Sequence, residues 1–157
     1  MLQFHVLISL VAMVAGVALF YRLLAGGPVW TLTTVFLATM IVTDVTGFPL
    51  SPFGFDPPRA IGVLSLLLLA ASILAFYVFR LAGVWRWVFC VTAVAAFYLD
   101  VFVGVVQSFV KVPFLHALAP TQSEPPFLVA QVIALGLFVA LGIAVVWKYR
   151  PVSSTIA

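Results

Sequence analysis

The sequence predicts an all-α integral membrane bundle of about five transmembrane helices, and three observations predict it. Hydrophobic residues make up 66% of the 157-residue chain and charged residues 7%, against about 25% charged in a soluble domain. A water-facing surface cannot be built from so few charges. The apolar residues also gather into five runs, each near the ~20 residues that a helix needs to cross about 30 Å of hydrocarbon. Finally, glycine, proline and charged residues crowd into the gaps between those runs. The net charge of +3 is too small and too scattered for a nucleic-acid footprint, so lipid is the expected surrounding and nucleic acid is not an expected partner.

Each element follows in order. The first span is expected over 4–24 and stops at Gly26-Gly27-Pro28. It begins Met1-Leu2-Gln3-Phe4-His5, without a basic segment and with an apolar run longer than a secretory signal uses, so it reads as a retained span. The second, 29–49, ends where four prolines fall between Pro49 and Pro58. The third, 59–80, opens on Asp56-Pro57-Pro58-Arg59, in which Asp56 can cap free backbone N–H groups and proline suits the first turn. Arg80 to Arg86, with Gly83, reads as a tight hairpin into the fourth span, 84–110, long enough to tilt or to extend past the bilayer. Pro113 to Pro126 is a second proline-rich loop, and Ser123-Glu124-Pro125-Pro126 starts the fifth span, 127–147, as Asp56 starts the third. Residues 1–150 form one transmembrane domain and 151–157 a short polar tail; neither a repeat nor a soluble domain is evident.

Lysine and arginine set the expected orientation. With the N-terminus outside and the C-terminus cytoplasmic, Arg22, Arg80, Arg86, Lys148 and Arg150 lie inside, against Arg59 and Lys111 outside. Trp30, Trp85, Trp87 and Trp147, with Tyr21 and Tyr149, fall at the inner interface, where aromatic side chains belong.

Polar residues within spans are expensive and tend to face the bundle interior. At helical spacing, one face carries His5, Ser9, Ala12 and Gly16, and a second carries Thr33, Met40, Asp44 and Gly47, flanked by Thr39, Thr43 and Thr46. A third carries Gly62, Ser65, Leu69 and Ser72 below Arg59, and a fourth Ala96, Asp100, Gly104, Gln107 and Lys111. On the fifth span Gln131 lies near the outer end, and Gly136, Ala140 and Ala144 form a stripe of small residues. Small residues one turn either side of Asp100 let helices approach closely, which turns Asp100 toward a neighbour or a cavity and away from lipid. The candidate lining of a pocket open to the outside is therefore Asp44, Arg59, Asp100, Gln107, Lys111, Gln131 and His5. The plainer reading makes Asp44–Arg59 a structural ion pair and gives Asp100 and Lys111 partners on other spans. Those two are about three turns apart on one helix and cannot meet.

Asp56, His116 and Glu124 belong to the outer loops. Both acids read as helix caps, or, with Phe48, Phe53, Phe55, Phe114 and Phe127, as parts of a rigid lid or docking surface over the pocket. His5 and His116 are the two histidines of the chain, and they do not make a convincing haem pair, since membrane cytochromes usually place their ligands within spans. Cys90 is alone, which excludes an intrachain disulfide, and no Cys/His spacing suggests a metal. No cofactor is expected. No HExxH, GxSxG, P-loop or GxGxxG occurs, so nothing marks an enzyme.

Two stretches carry a resemblance. Gly47-Phe48-Pro49 running on to Gly54-Phe55-Asp56-Pro57-Pro58-Arg59 is one. The other runs from Phe97-Tyr98-Leu99-Asp100 through Gln107 to Ala119-Pro120-Thr121-Gln122-Ser123-Glu124-Pro125-Pro126-Phe127. Over about residues 30–148 the chain resembles an uncharacterised family of small multi-span proteobacterial membrane proteins. The resemblance implies a bacterial inner membrane and carries no catalytic or binding residue with it. Two functions stay open on the sequence: a pocket that binds or helps move a small polar solute or ion, in a homo-oligomer because five spans are few, or an accessory or assembly subunit of a larger membrane complex whose charges are structural.

Overall fold

The computed structural model describes residues 2–50 and 57–150, and these contain helices and no strand. The elements are α1 (Leu2–Ala25), α2 (Trp30–Gly47), α3 (Pro57–Ile73) running into a π-helical turn (Leu74–Val78), α4 (Trp85–Lys111), α5 (Pro113–Leu118) and α6 (Pro125–Lys148). Five helices are long and apolar enough to cross a membrane: Leu2–Ala25, Trp30–Gly47, Arg59–Val78, Trp85–Lys111 and Pro125–Lys148.

The five expected spans are thus present, with three local differences. The second helix stops at Gly47, before Pro49, and Phe48 folds back against Gly62 of α3. The third ends at Val78 in wide turns: Phe79 N–H donates to the Leu74 carbonyl at 2.9 Å and Leu81 N–H to that of Ala75 at 2.9 Å. Arg80, Leu81 and Gly83 then take positive φ, and the reversal closes by stacking Phe79 on Trp85 at 3.8 Å between centroids. The second proline-rich loop contains a short helix, α5, which the sequence reading passed over. Its apolar residues are too few to show a period, and proline at its first position starts it.

Burial is inverted relative to a soluble protein. Ser65, Ser72 and Thr33 are buried, whereas Val14, Leu67 and Val132 are about two-thirds exposed. Faces of this kind are stable against hydrocarbon and not against water.

Helix α4 packs on α3, α5, α6 and α1, and α2 bridges α1 and α3. The small residues on α1 explain the closeness at the centre. A Cβ on Gly16 would stand 2.7 Å from the Phe97 ring. Phe97 in turn stacks on Phe20 (5.6 Å) and meets Phe36 (5.8 Å) and Phe138 (5.1 Å) edge-on. Four helices therefore share one aromatic plug at mid-depth.

Turn lengths alternate the helix directions and give the bundle two unlike ends. One, the basic end, gathers Arg22, Arg80, Arg86, Lys148 and Arg150 with the four tryptophans. The other, the acidic end, gathers His5, Asp44, Arg59, Lys111 and Glu124, with Asp100 deeper inside.

Candidate functional site

The polar faces predicted from spacing converge between α2, α3 and α4. On α3, Ser65, Leu69 and Ser72 are all buried. Ser72 donates to the Thr92 hydroxyl of α4 at 2.7 Å, because the single Thr92 proton goes to the Val88 carbonyl at 2.7 Å. About two turns toward the acidic end, Ser65 lies beside Asp44 of α2. Asp100 of α4 faces the same region, near enough to feel the charge of Asp44.

Ser72 and Thr92 are thereby satisfied, but the groups nearer the acidic end each keep a buried atom without a partner among the described residues. Asp44 Oδ2, Asp100 Oδ2 and Ser65 Oγ are buried and lack a hydrogen-bond partner, as does Thr43 Oγ1 of the same helix as Asp44. Buried polar groups in folded proteins nearly always have a partner, and the exceptions point to water, an ion or a ligand. Beneath this layer, one turn toward the basic end, Met40, Leu69 and Ala96 are fully buried and apolar, followed by the Phe97 plug. The polar cluster is therefore closed on that side.

The other candidates surround the cluster at varying distance. His5 is half-buried and holds α1 to α2: its Nδ1 lies 3.1 Å from Thr46 Oγ1. Thr46 donates its proton to the Val42 carbonyl at 2.7 Å, so His5 Nδ1–H is the donor. Gly47 leaves room for the ring, since a Cβ there would meet His5 Cε1 at 3.3 Å. Gln131 of α6 reaches across to α4, its Nε2 donating to the Phe102 carbonyl at 3.3 Å, while its Oε1 is buried without a partner.

The Asp44–Arg59 ion pair is not formed. Arg59 instead donates to the Phe48 carbonyl at 3.2 Å and the Leu50 carbonyl at 2.5 Å, tying down the chain just after α2. The physical reason is the early end of α2, which leaves unbonded carbonyls within the arginine's reach. Gln107 and Lys111 sit on the Asp100 stripe but are exposed, because at that height α4 buries its Phe109 face against Phe127 and Ala119 instead. The stripe Gly136, Ala140 and Ala144 is not the packed face of α6. Gly136 and Ala140 are exposed, while Ala134, Val145 and Val146 pack inward.

In the loops, His116 is exposed on α5. Glu124 occupies the N-cap position of α6, yet its carboxylate does not cap the helix. It turns back to accept from Thr121 N–H (3.1 Å), Thr121 Oγ1 (2.8 Å) and Ser123 N–H (3.1 Å), since the prolines at the helix start offer no N–H there. Desolvation, the largest single effect, is outweighed by these bonds acting together, with that from Thr121 Oγ1 foremost among them, and the carboxyl is held below its ordinary value. Asp56, Phe53 and Phe55 lie outside the described residues. Cys90 is buried and free, and no group of three metal-ligating side chains forms among the described residues.

Sequence reading placed Ser65 and Thr43 on or beside polar stripes without ranking them as site residues. A lone hydroxyl in a helix usually bonds its own backbone, and only tertiary contact shows that these two do not. Comparison of the chain with protein-family models, with curated proteins and with solved structures finds no match.

Proposed function

We propose that the chain is a multi-pass protein of a bacterial inner membrane, N-terminus outside and C-terminus cytoplasmic, that binds or helps move a small polar solute or ion at the Asp44–Ser65–Asp100 cluster. The observation behind this reading is that three helices each bring an unpartnered buried polar atom to one layer. An isolated buried carboxylate is costly and two neighbouring ones more so. The fitting occupant is a cation or a hydrogen-bond donor, bare or with water. The apolar layer of Met40, Leu69 and Phe97 favours entry from the acidic end. Movement across the membrane would require that layer to open, and a homo-oligomer remains the expected form for so few spans.

Native mass spectrometry of protein purified in mild detergent tests this reading. A small co-purifying adduct, lost in the Asp44→Asn/Asp100→Asn double variant, is the expected result. A stoichiometric protein partner with no small ligand would overturn it.

That second outcome belongs to the accessory-subunit reading, which one observation favours. Gly136 and Ala140 present a small-residue strip on the outside of α6, with nothing within 4 Å of a Cβ built at Gly136, the kind of surface that admits another helix closely.

A further inference from the structure

The basic end holds a feature that the polar cluster does not use. Where the α1–α2 turn meets the end of α6, a cavity of about 230 Å³ is lined by Leu23, Gly26, Gly27, Lys148, Tyr149 and Arg150. At about 30 Å³ per water, it has room for a phosphate group with waters around it. The Arg22 guanidinium lies over Gly27, 3.3 Å from where a Cβ would stand. Gly26 and Gly27 have φ of +83° and +110°, a backbone conformation that side chains resist, so the bare turn that leaves this hollow needs glycine.

Charge at this cavity is unbalanced. The side chains of Arg22 and Lys148 make no hydrogen bond among the described residues, and Arg150 reaches the Val146 and Tyr149 carbonyls only at 3.5 and 3.4 Å. No Asp or Glu of the described residues lies at this end. The carbonyl ends of α1 and α6 carry about half a negative charge each. Arg86 already answers that of α6 through bonds of 2.8 Å to the Val146 and Tyr149 carbonyls. Three cations beside a hollow exceed what the remaining helix end can offset.

We propose that this cavity binds a phosphate-bearing anion, either the headgroup of an acidic phospholipid or a free phosphate, held by Arg22, Lys148 and Arg150. Guanidinium groups match phosphate oxygens with paired donors, and lysine adds a mobile charge. The site is independent of the Asp44–Asp100 cluster, which lies beyond the aromatic plug.

The test is titration of protein purified in a neutral maltoside with dihexanoyl phosphatidylglycerol, with inorganic phosphate, and with zwitterionic dihexanoyl phosphatidylcholine. Tryptophan fluorescence reads the binding, since Trp30, Trp85, Trp87 and Trp147 all lie at this end. The expected result is saturable binding of phosphatidylglycerol, weakened about tenfold or more in the Arg22→Gln/Arg150→Gln double variant. A response to phosphatidylglycerol without one to phosphate assigns the site to lipid, and a competing response to phosphate assigns it to a soluble anion. Lys148→Gln alters one exposed side chain, so its fold is not at stake, and it should weaken binding in the same sense. Arg80→Gln, on the same end but away from the cavity, should leave it unchanged. Equal binding of phosphatidylcholine, full affinity in both cavity variants, or equal loss in Arg80→Gln would each overturn the proposal.

Discussion

At Asp100 the sequence and the packing disagree about what a buried carboxylate should have beside it: Oδ2 is enclosed and meets no donor among the described residues. Leaving such a group unsatisfied costs about 1–3 kcal/mol. Asp100→Asn removes the charge at constant shape, so it should leave stability unchanged or raise it by about 1 kcal/mol in a detergent thermal melt, while the small-ligand adduct disappears. A loss above about 2 kcal/mol would mean that Asp100 has a structural partner. Glu124 gives a pH dependence of known direction. Its folded carboxyl is held below the ordinary value of 4.5, so its contribution is complete above that value and is lost as pH falls through the lower, folded one. Hydrogen exchange at the Thr121 and Ser123 amides should therefore accelerate on acidification below about pH 4.5, apart from the intrinsic rate, and Glu124→Gln should remove the transition.

Among the elements, α1 and α4 are held by two close approaches that differ in kind. A Cβ at Gly16 would meet the Phe97 ring at 2.7 Å, and one at Gly104 would meet Met13 Cε at the same 2.7 Å. Phe97 is fixed by Phe20, Phe36 and Phe138, whereas the end of a methionine can swing away. Gly16→Ala should thus cost about 1–3 kcal/mol and Gly104→Ala less than about 1 kcal/mol, measured by thermal or detergent-induced unfolding. The end of α6 depends on Arg86, which crosses from α4 to two of its carbonyls. Arg86→Gln should destabilise by about 1.5–3 kcal/mol, and exchange should rise first in the last turn of α6.

At the scale of the whole molecule the two ends are the organising feature. The basic end carries five cations and the four tryptophans, and the acidic end carries the carboxylates and His5. The orientation proposed from that asymmetry predicts the outcome of labelling in intact cells. A cysteine at Ser123 should react with an impermeant maleimide from outside, and one at Ser153 only after permeabilisation. Cys90 is buried and should stay silent in both. Labelling at Ser153 from outside would reverse the orientation and move the polar cluster to the cytoplasmic half.

Much of the architecture was legible beforehand because the bilayer fixes element length and the helical period fixes faces. The five runs, the buried Ser65–Leu69–Ser72 face and the close packing around Gly16 and Ala96 follow from those two rules. Spacing along one helix carries no information about which neighbour faces it or at what height. That is why Arg59 was matched with Asp44 and in fact binds the chain after α2, and why spacing left open which way the small stripe of α6 faces. The sequence by itself determined that the chain needs an apolar solvent, crosses it about five times and carries its charges asymmetrically. Only the tertiary structure decided that Asp44, Ser65 and Asp100 share a layer without partners and that Arg22 and Arg150 flank one cavity. Those facts are distances between helices, set by side-chain packing across their contacts.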